Sequence, residues 1–207
     1  KLSRVERQLH HYGSGLNAIP VLEAFKKSPQ DLYLLRVGYG GLLGSVANVT
    51  EDGFGPSAFH SFPSTLKIDA LSGDYGPNFY GYAVNTATYI TNDNTYGWLA
   101  FGGNLTTKGD LVEVQITTAS KGKVFIAPLG LLLSLDAGKF EKVTYNKATK
   151  VVEVTLQAKD NYTPNAYLTI EQPKSNGKEY KPSAILKQEK GAYQIPLQTT
   201  TTKVVLK

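Results

Sequence analysis

The second half of the chain alternates apolar and polar residues over short stretches that are separated by polar turns. In residues 111–116, valine and isoleucine alternate with an acid and an amide, which is typical of a half-buried β-strand. Residues 139–145 and 151–156 flank a polar turn at 146–149 and predict a hairpin. Short strands joined by tight turns continue to the end of the chain. We therefore predict an antiparallel β-sandwich over residues 84–207.

Residues 1–50 show helical rather than strand periodicity. A break is predicted at residues 10–15, followed by a helix with Asn17 as its N-cap. Asp31 is placed to cap another helix over residues 32–43, which is apolar almost all round and is therefore expected to be buried. We interpret this lead-in as the end of a helical domain that precedes the chain.

Residues 51–83 are rich in glycine, proline and aromatic residues and have weak periodicity, so they predict ordered loops. The fold class expected from the pattern is mainly β, with an antiparallel β-sandwich and a short N-terminal helical segment, α+β overall.

Composition narrows the classes of function. The 207 residues include no cysteine, which excludes a disulfide framework and cysteine-ligated metal. The net charge is +5, but arginine occurs only at Arg4, Arg7 and Arg36, and most lysines are scattered after residue 107. Nucleic-acid sites usually cluster these residues on a recognisable module, so no nucleic-acid partner is expected. No apolar run is long enough to span a membrane. Methionine is also absent, so we expect the chain to be the C-terminal part of a larger protein.

Paired carboxylates are the remaining route to chemistry. The three histidines lack the spacing of a metal site, and no phosphate or dinucleotide loop occurs, so neither a metal nor a cofactor is expected. Glycoside hydrolysis needs an acid and a second carboxylate at a defined separation. The candidates outside the lysine-rich strands are Glu51, Asp52, Asp69 and Asp74, and we choose Asp74 and Glu51. Asp74 lies among glycines and aromatic rings, although aspartate is also an ordinary turn residue.

Aromatic and polar residues near these acids are candidates for substrate binding. A ring face suits the C–H face of a sugar, although packing in strands and core is the commoner use of any single ring. The candidate sugar platforms are Tyr75, Tyr80 and Trp98, and the candidate polar contacts are Arg36, His60, His11, Tyr12 and Asn78.

Three Asn-x-Thr sequons are present, and they matter only in a eukaryotic secretory route. Asn48 and Asn104 are the candidate glycosylation sites. Asn161 is a less attractive acceptor because Pro164 follows its sequon.

Several strings of the first two thirds of the chain are distinctive. They lie at residues 11–20, 31–41, 58–61, 72–77, 97–104 and 127–131. Together they resemble the C-terminal end of a family of large secreted bacterial and fungal proteins of undefined function, often labelled glycoside-hydrolase-like. Members of that family look like a helical toroid flanked by β domains.

The resemblance implies a secreted, extracellular carbohydrate-active enzyme, with a preceding helical domain or companion chain of the same protein as partner. It supplies no catalytic residues. Two alternatives stay open beside hydrolysis of a polysaccharide or oligosaccharide. The β domain is then a non-catalytic carbohydrate-binding or structural module, or part of a self-assembling surface protein.

Overall fold

The computed structural model describes residues 12–46, 75–172, 179–197 and 200–207. The chain forms two compact units, Lys1–Thr86 and Ala87–Lys207, which we call the helical unit and the sandwich unit.

The described part of the helical unit contains three helices, α1 (Tyr12–Lys27), α2 (Leu32–Gly44) and α3 (Tyr75–Asn85). Helix α1 packs against both of the others. Its buried side chains include Leu22 and Phe25, which lie one turn apart on one face.

Helix α1 begins earlier than the sequence predicts. The expected break at residues 10–15 and the N-cap at Asn17 are wrong for the described residues, since the helix runs from Tyr12 and includes Pro20. The reason is a close approach of α1 to α3. A Cβ atom on Gly81 would overlap the backbone of Gly15, so glycine at position 81 lets the two helices touch. Packing therefore outweighs the low helix propensity of this segment.

Helix α2 begins as predicted and is buried less than predicted. The Asp31 side chain caps it, because Oδ1 accepts a hydrogen bond from the Leu34 amide at 3.2 Å. Gly38 faces α1, where an added Cβ would lie 2.7 Å from the Leu22 side chain. The opposite face is open to solvent, with Tyr33 74% exposed and Val37 45% exposed. The expectation of burial almost all round is therefore wrong.

Helix α3 replaces the end of the predicted loop region. We expected loops to residue 83, whereas the helix spans Tyr75–Asn85. Pro77 lies in the first turn, where a missing amide N–H has no intrahelical partner to lose. The Asn85 side chain donates to the Gly81 carbonyl at 3.3 Å and closes the last turn. The remainder of the predicted loops, residues 51–74, lies outside the described residues.

The described part of the sandwich unit contains two sheets. The seven-stranded sheet has the order β10-β11-β9-β6-β5-β1-β2, and the five-stranded sheet has the order β12-β8-β7-β4-β3. All pairs are antiparallel except β1 with β5. The strands are β1 Thr88–Asp93, β2 Gly97–Phe101, β3 Gly103–Lys108, β4 Leu111–Ile116, β5 Lys123–Ile126, β6 Leu131–Leu135, β7 Lys139–Asn146, β8 Val152–Gln157, β9 Asn165–Glu171, β10 Gln188–Glu189, β11 Ala192–Pro196 and β12 Thr202–Leu206.

One hydrophobic core lies between the two sheets. It contains inward residues of both, such as Val114 and Val154 from the five-stranded sheet and Ile126 and Leu168 from the seven-stranded sheet. The predicted hairpin is β7–β8, and the Asn146 side chain closes its turn by accepting from two backbone amides. The predicted fold class, an antiparallel β-sandwich with a short N-terminal helical segment, is confirmed.

Strand β2 of the seven-stranded sheet is joined to β3 of the five-stranded sheet by one residue, Gly102, whose φ of 83° favours glycine. Its carbonyl oxygen accepts from the amides of Thr117 and Thr118 at 2.9 and 3.1 Å. The Thr88 hydroxyl donates to the same oxygen at 2.9 Å and lies 3.4 Å from the Thr118 hydroxyl. The two amides, the two threonine hydroxyls and the Gly102 carbonyl therefore connect β1, the residues after β4 and the β2–β3 crossover.

A bulge in β7 between Phe140 and Lys142 places Glu141 beside two lysines. The Glu141 carboxylate lies 2.9 Å from Lys139 Nζ and 3.4 Å from Lys121 Nζ, and its side chain is only 17% exposed. Burial raises the pKa of this carboxyl group, but the ammonium groups of Lys139 and Lys121 beside it outweigh that effect, so the pKa is lowered.

The glycine contact between α1 and α3 predicts an asymmetric response to alanine. Gly81→Ala should lower the free energy of unfolding by about 1–3 kcal/mol, because the new methyl group overpacks a backbone contact. Gly40→Ala, in open space on α2, should raise it by about 0.5–1 kcal/mol. Urea unfolding followed by far-ultraviolet circular dichroism tests both, and equal effects would contradict the close helix contact.

At the β2–β3 crossover, Thr88→Val should cost about 1–2 kcal/mol of unfolding free energy, because the Gly102 carbonyl and the Thr118 hydroxyl each lose a hydrogen-bond partner. The matched control, Thr106→Val on the exposed part of β3, should change it by less than about 0.5 kcal/mol. Trp98, which packs in the same unit, reports the unfolding by fluorescence. If Thr106→Val destabilises the protein as much as Thr88→Val does, the hydrogen bonds at Gly102 contribute no more to stability than an exposed threonine.

We expect Glu141 to make the stability of the folded protein depend on pH. Its folded pKa is below the ordinary value of 4.5, so its contribution is present above that pH and is lost as the pH falls through the folded pKa. Glu141→Gln should therefore destabilise the protein at neutral pH, and its difference from wild type should shrink on acidification. Urea unfolding over a pH series measures this, with exposed Glu171→Gln as control. A difference that does not change with pH would rule the ion pairs out as its cause.

Candidate functional site

The helical unit contains most of the sequence-predicted site residues that the structure describes. Arg36 lies on α2, Tyr12 begins α1, and Tyr75, Asn78 and Tyr80 lie on α3. Asp74, Glu51, His60, His11 and Asn48 lie outside the described residues.

A hollow of about 470 Å³ lies against the solvent face of α2. It is lined by Leu32, Tyr33, Arg36 and Val37, which are one helical turn apart on the same face. Tyr33 and Arg36 are both exposed. A phenol ring and a planar guanidinium with five donors can together contact the apolar and hydroxyl parts of a ligand.

Tyr39 on α2 lies near Tyr82 on α3. Burial raises the pKa of the Tyr39 phenol, and Tyr82 raises it further. Tyr80, which is also on α3, is 63% exposed. The helical unit therefore presents tyrosines from two helices.

Trp98 lies in the sandwich unit. Its ring packs against Tyr145 with centroids 5.7 Å apart and planes at 49°, and it joins the edge of the hydrophobic core. Most of this ring serves packing, and a contact with sugar would be limited to the part that stays exposed.

Asn104 is exposed on β3, and Thr106 of the same sequon is exposed as well. At the third sequon, the Thr163 hydroxyl donates to the Asp160 carboxylate at 3.0 Å. The two described sequons thus differ, because the Thr163 hydroxyl is bound to a carboxylate of its own loop, whereas Thr106 lies exposed on a strand.

The described carboxylates serve mainly as partners of lysines and turn amides. Lys142 donates to Glu113 at 2.7 Å, which lowers the pKa of that carboxyl group. At Asp160, desolvation raises the pKa, but hydrogen bonds from Thr163 and Tyr162 outweigh it and lower it. A general acid needs a pKa shifted upward toward the operating pH. The lowered pKa values of Glu113 and Asp160 therefore fit groups that stabilise the fold as carboxylates and do not fit a general acid.

A smaller hollow of about 270 Å³ lies on the sandwich unit and is lined by Tyr167, Glu189, Lys190 and Ala192. The Tyr167 hydroxyl donates to Glu189 Oε2 at 3.3 Å. Sequence analysis did not single out these residues or Tyr33. The available signal for Tyr167 was its outward position in an alternating strand.

Within the ranges given above for the model, no group of three or more histidine, aspartate or glutamate side chains is close enough to hold a metal ion. Of the described helices, none combines the length and the apolar character needed to cross a membrane.

Comparison with curated proteins gives no match, and comparison with solved structures gives none either. One protein-family model matches residues 1–205, which is nearly the whole chain, and its description is a family of unknown function, DUF5695. The match spans the helical unit and the sandwich unit alike, so the chain belongs to the DUF5695 family.

Proposed function

We propose that this chain is the C-terminal portion of a secreted carbohydrate-active enzyme that hydrolyses glycosidic bonds in a polysaccharide or oligosaccharide. The observation that supports this most is the α2 hollow, where exposed Tyr33 and Arg36 line a cavity of about 470 Å³. Ligand sites of this size combine an apolar wall with a few polar groups that fix orientation. A tyrosine ring and a guanidinium meet that description for a sugar.

The proposed chemistry uses two carboxyl groups. One protonates the leaving oxygen, and the other acts as a nucleophile or activates a water molecule. Asp74 and Glu51 are proposed for these roles. His60, His11 and Asn78 are proposed as hydroxyl contacts, with Tyr75 and Tyr80 as sugar platforms.

A helical partner is proposed to complete the cleft. The solvent face of α2 includes Val37 and Leu43, each 45% exposed, and Gly40, which has open space around its Cβ position. A helix with apolar residues on both faces is usually buried on both. A preceding helical domain or companion chain of the same protein would cover this face beside the hollow.

A non-catalytic binding role is the second candidate for the sandwich unit. Its described carboxylates pair with lysines, as Glu153 does with Lys203 at 2.9 Å, or close turns, as Asp93 does. Carboxylates in such contacts stabilise the surface, and few of the described ones remain as candidates for proton transfer. On this reading the sandwich unit holds glycan, and any chemistry belongs to the helical unit.

The hydrolytic proposal predicts that Asp74→Asn and Glu51→Gln each reduce reducing-end release by about 100-fold or more, because each removes an acid, base or nucleophile. The full-length protein is assayed on a panel of neutral and acidic polysaccharides. The matched control is Asp110→Asn, an exposed turn carboxylate of the sandwich unit, which should keep wild-type activity.

Two results would contradict this proposal. A wild-type protein that releases no reducing ends from any polysaccharide, yet binds one, would leave the non-catalytic role. Activity that survives both Asp74→Asn and Glu51→Gln would show that other groups perform the chemistry.

A further inference from the structure

The sandwich unit has a groove on the outer face of its seven-stranded sheet, where β9, β11 and β10 lie side by side. The register pairs Tyr167 with Gln194 across β9–β11, and Ala192 with Glu189 across β11–β10. Because alternate residues share a face, Tyr167, Ala192 and Glu189 all point away from the core.

The shape of the groove follows from one small residue. Ala192 lies on β11, between the strands that carry Tyr167 and Glu189, and its small side chain lets the Tyr167 hydroxyl reach Glu189 across it beside the hollow. The β10–β11 turn is made by Lys190 and Gly191, with φ values of 49° and 84°. Two positive φ angles fit the twist of a two-residue hairpin turn, which holds Lys190 at the rim.

Polar groups in the groove are held in place. Glu189 Oε2 accepts from the Tyr167 hydroxyl at 3.3 Å and lies 3.7 Å from Lys187 Nζ. These contacts tether the carboxylate to the ring beside it. The Tyr167 amide donates to Asp136 Oδ1 at 2.7 Å, which anchors β9 at the same residue.

We propose that this groove binds one pyranose ring of a neutral glycan. The Tyr167 ring supplies an apolar wall for the C–H face of the sugar, which is the kind of contact that aromatic side chains make best. The Glu189 carboxylate accepts from sugar hydroxyls, and the Lys190 ammonium donates to them. A volume of about 270 Å³ is below the usual range of drug-sized sites and suits a single ring.

This site deepens the second candidate function, glycan binding by the sandwich unit, and rests on it for the class of ligand. It is independent of the proposed hydrolysis, because it lies in the sandwich unit and requires no bond cleavage. Charges of both signs at the groove favour an uncharged, hydroxyl-rich ring over an anion or a cation, since either ion would meet one like charge.

The test measures retardation of the full-length protein in native gels that contain β-glucan, xylan, mannan or galactan. Calorimetry with a hexasaccharide of the most retarding polysaccharide then gives the association constant. Tyr167→Ala should weaken association about tenfold through loss of the ring contact. Ala192→Leu, which fills the hollow beside the Tyr167 ring, should also weaken association about tenfold. Tyr167→Phe keeps the ring and should keep the affinity within about threefold.

Tyr162→Ala is the matched control, because Tyr162 is an 85% exposed tyrosine of the same unit outside the groove. It should bind as wild type. Thermal unfolding of each variant verifies the fold, and Ala192→Leu provides the test if Tyr167→Ala does not fold.

The outcomes separate this inference from the hydrolytic proposal. Wild-type affinity in both Tyr167→Ala and Ala192→Leu overturns the groove, and loss of affinity in Arg36→Ala would then locate binding in the α2 hollow. Weakened binding in the groove variants, with wild-type reducing-end release in Asp74→Asn and Glu51→Gln, supports the groove and overturns the catalytic roles proposed for those two carboxyl groups. Absence of retardation by every polysaccharide overturns the groove.

Discussion

The sandwich unit depends on the hydrogen bonds that converge on the Gly102 carbonyl oxygen. Two backbone amides and the Thr88 hydroxyl donate to this one acceptor, at the residue that joins β2 of the seven-stranded sheet to β3 of the five-stranded sheet. Beside it, a Cβ atom on Gly103 would lie 2.5 Å from a Val114 methyl carbon, so the crossover also brings backbone close to the core. A buried carbonyl needs partners, and these donors allow the crossover to be sharp.

Close backbone contact is also the rule in the helical unit. Gly81 lets α3 touch α1 at Gly15, and Gly38 lets α2 approach Leu22. Glycine costs helix stability, so its presence inside these helices is offset only by packing. Because both contacts use the inner face of α2 and α3, the outer face of α2 keeps Tyr33 and Arg36 open to solvent.

Charge is arranged differently in the two candidate sites. In the sandwich unit, half of the described aspartate and glutamate side chains are paired with lysines, and the resolved carboxyl pKa shifts are all downward. Stable ionised pairs suit a solvated surface and a non-catalytic groove such as that at Tyr167. The proposed hydrolysis instead requires carboxyl groups whose pKa values are pushed apart, and its candidates Asp74 and Glu51 are not among the described residues.

The sequence by itself determined the β-sandwich, the β7–β8 hairpin and the start of α2, because alternation, turn residues and the Asp31 cap act over a few neighbouring residues. It failed at α3 and at the start of α1, because the glycines there predict loops. The packing of Gly81 against Gly15 joins two helices that are far apart in the sequence, so no local pattern indicates it. It also could not place Tyr167 beside Glu189, since 22 residues separate them in the chain. Only strand register, a long-range property of the fold, brings those two side chains together.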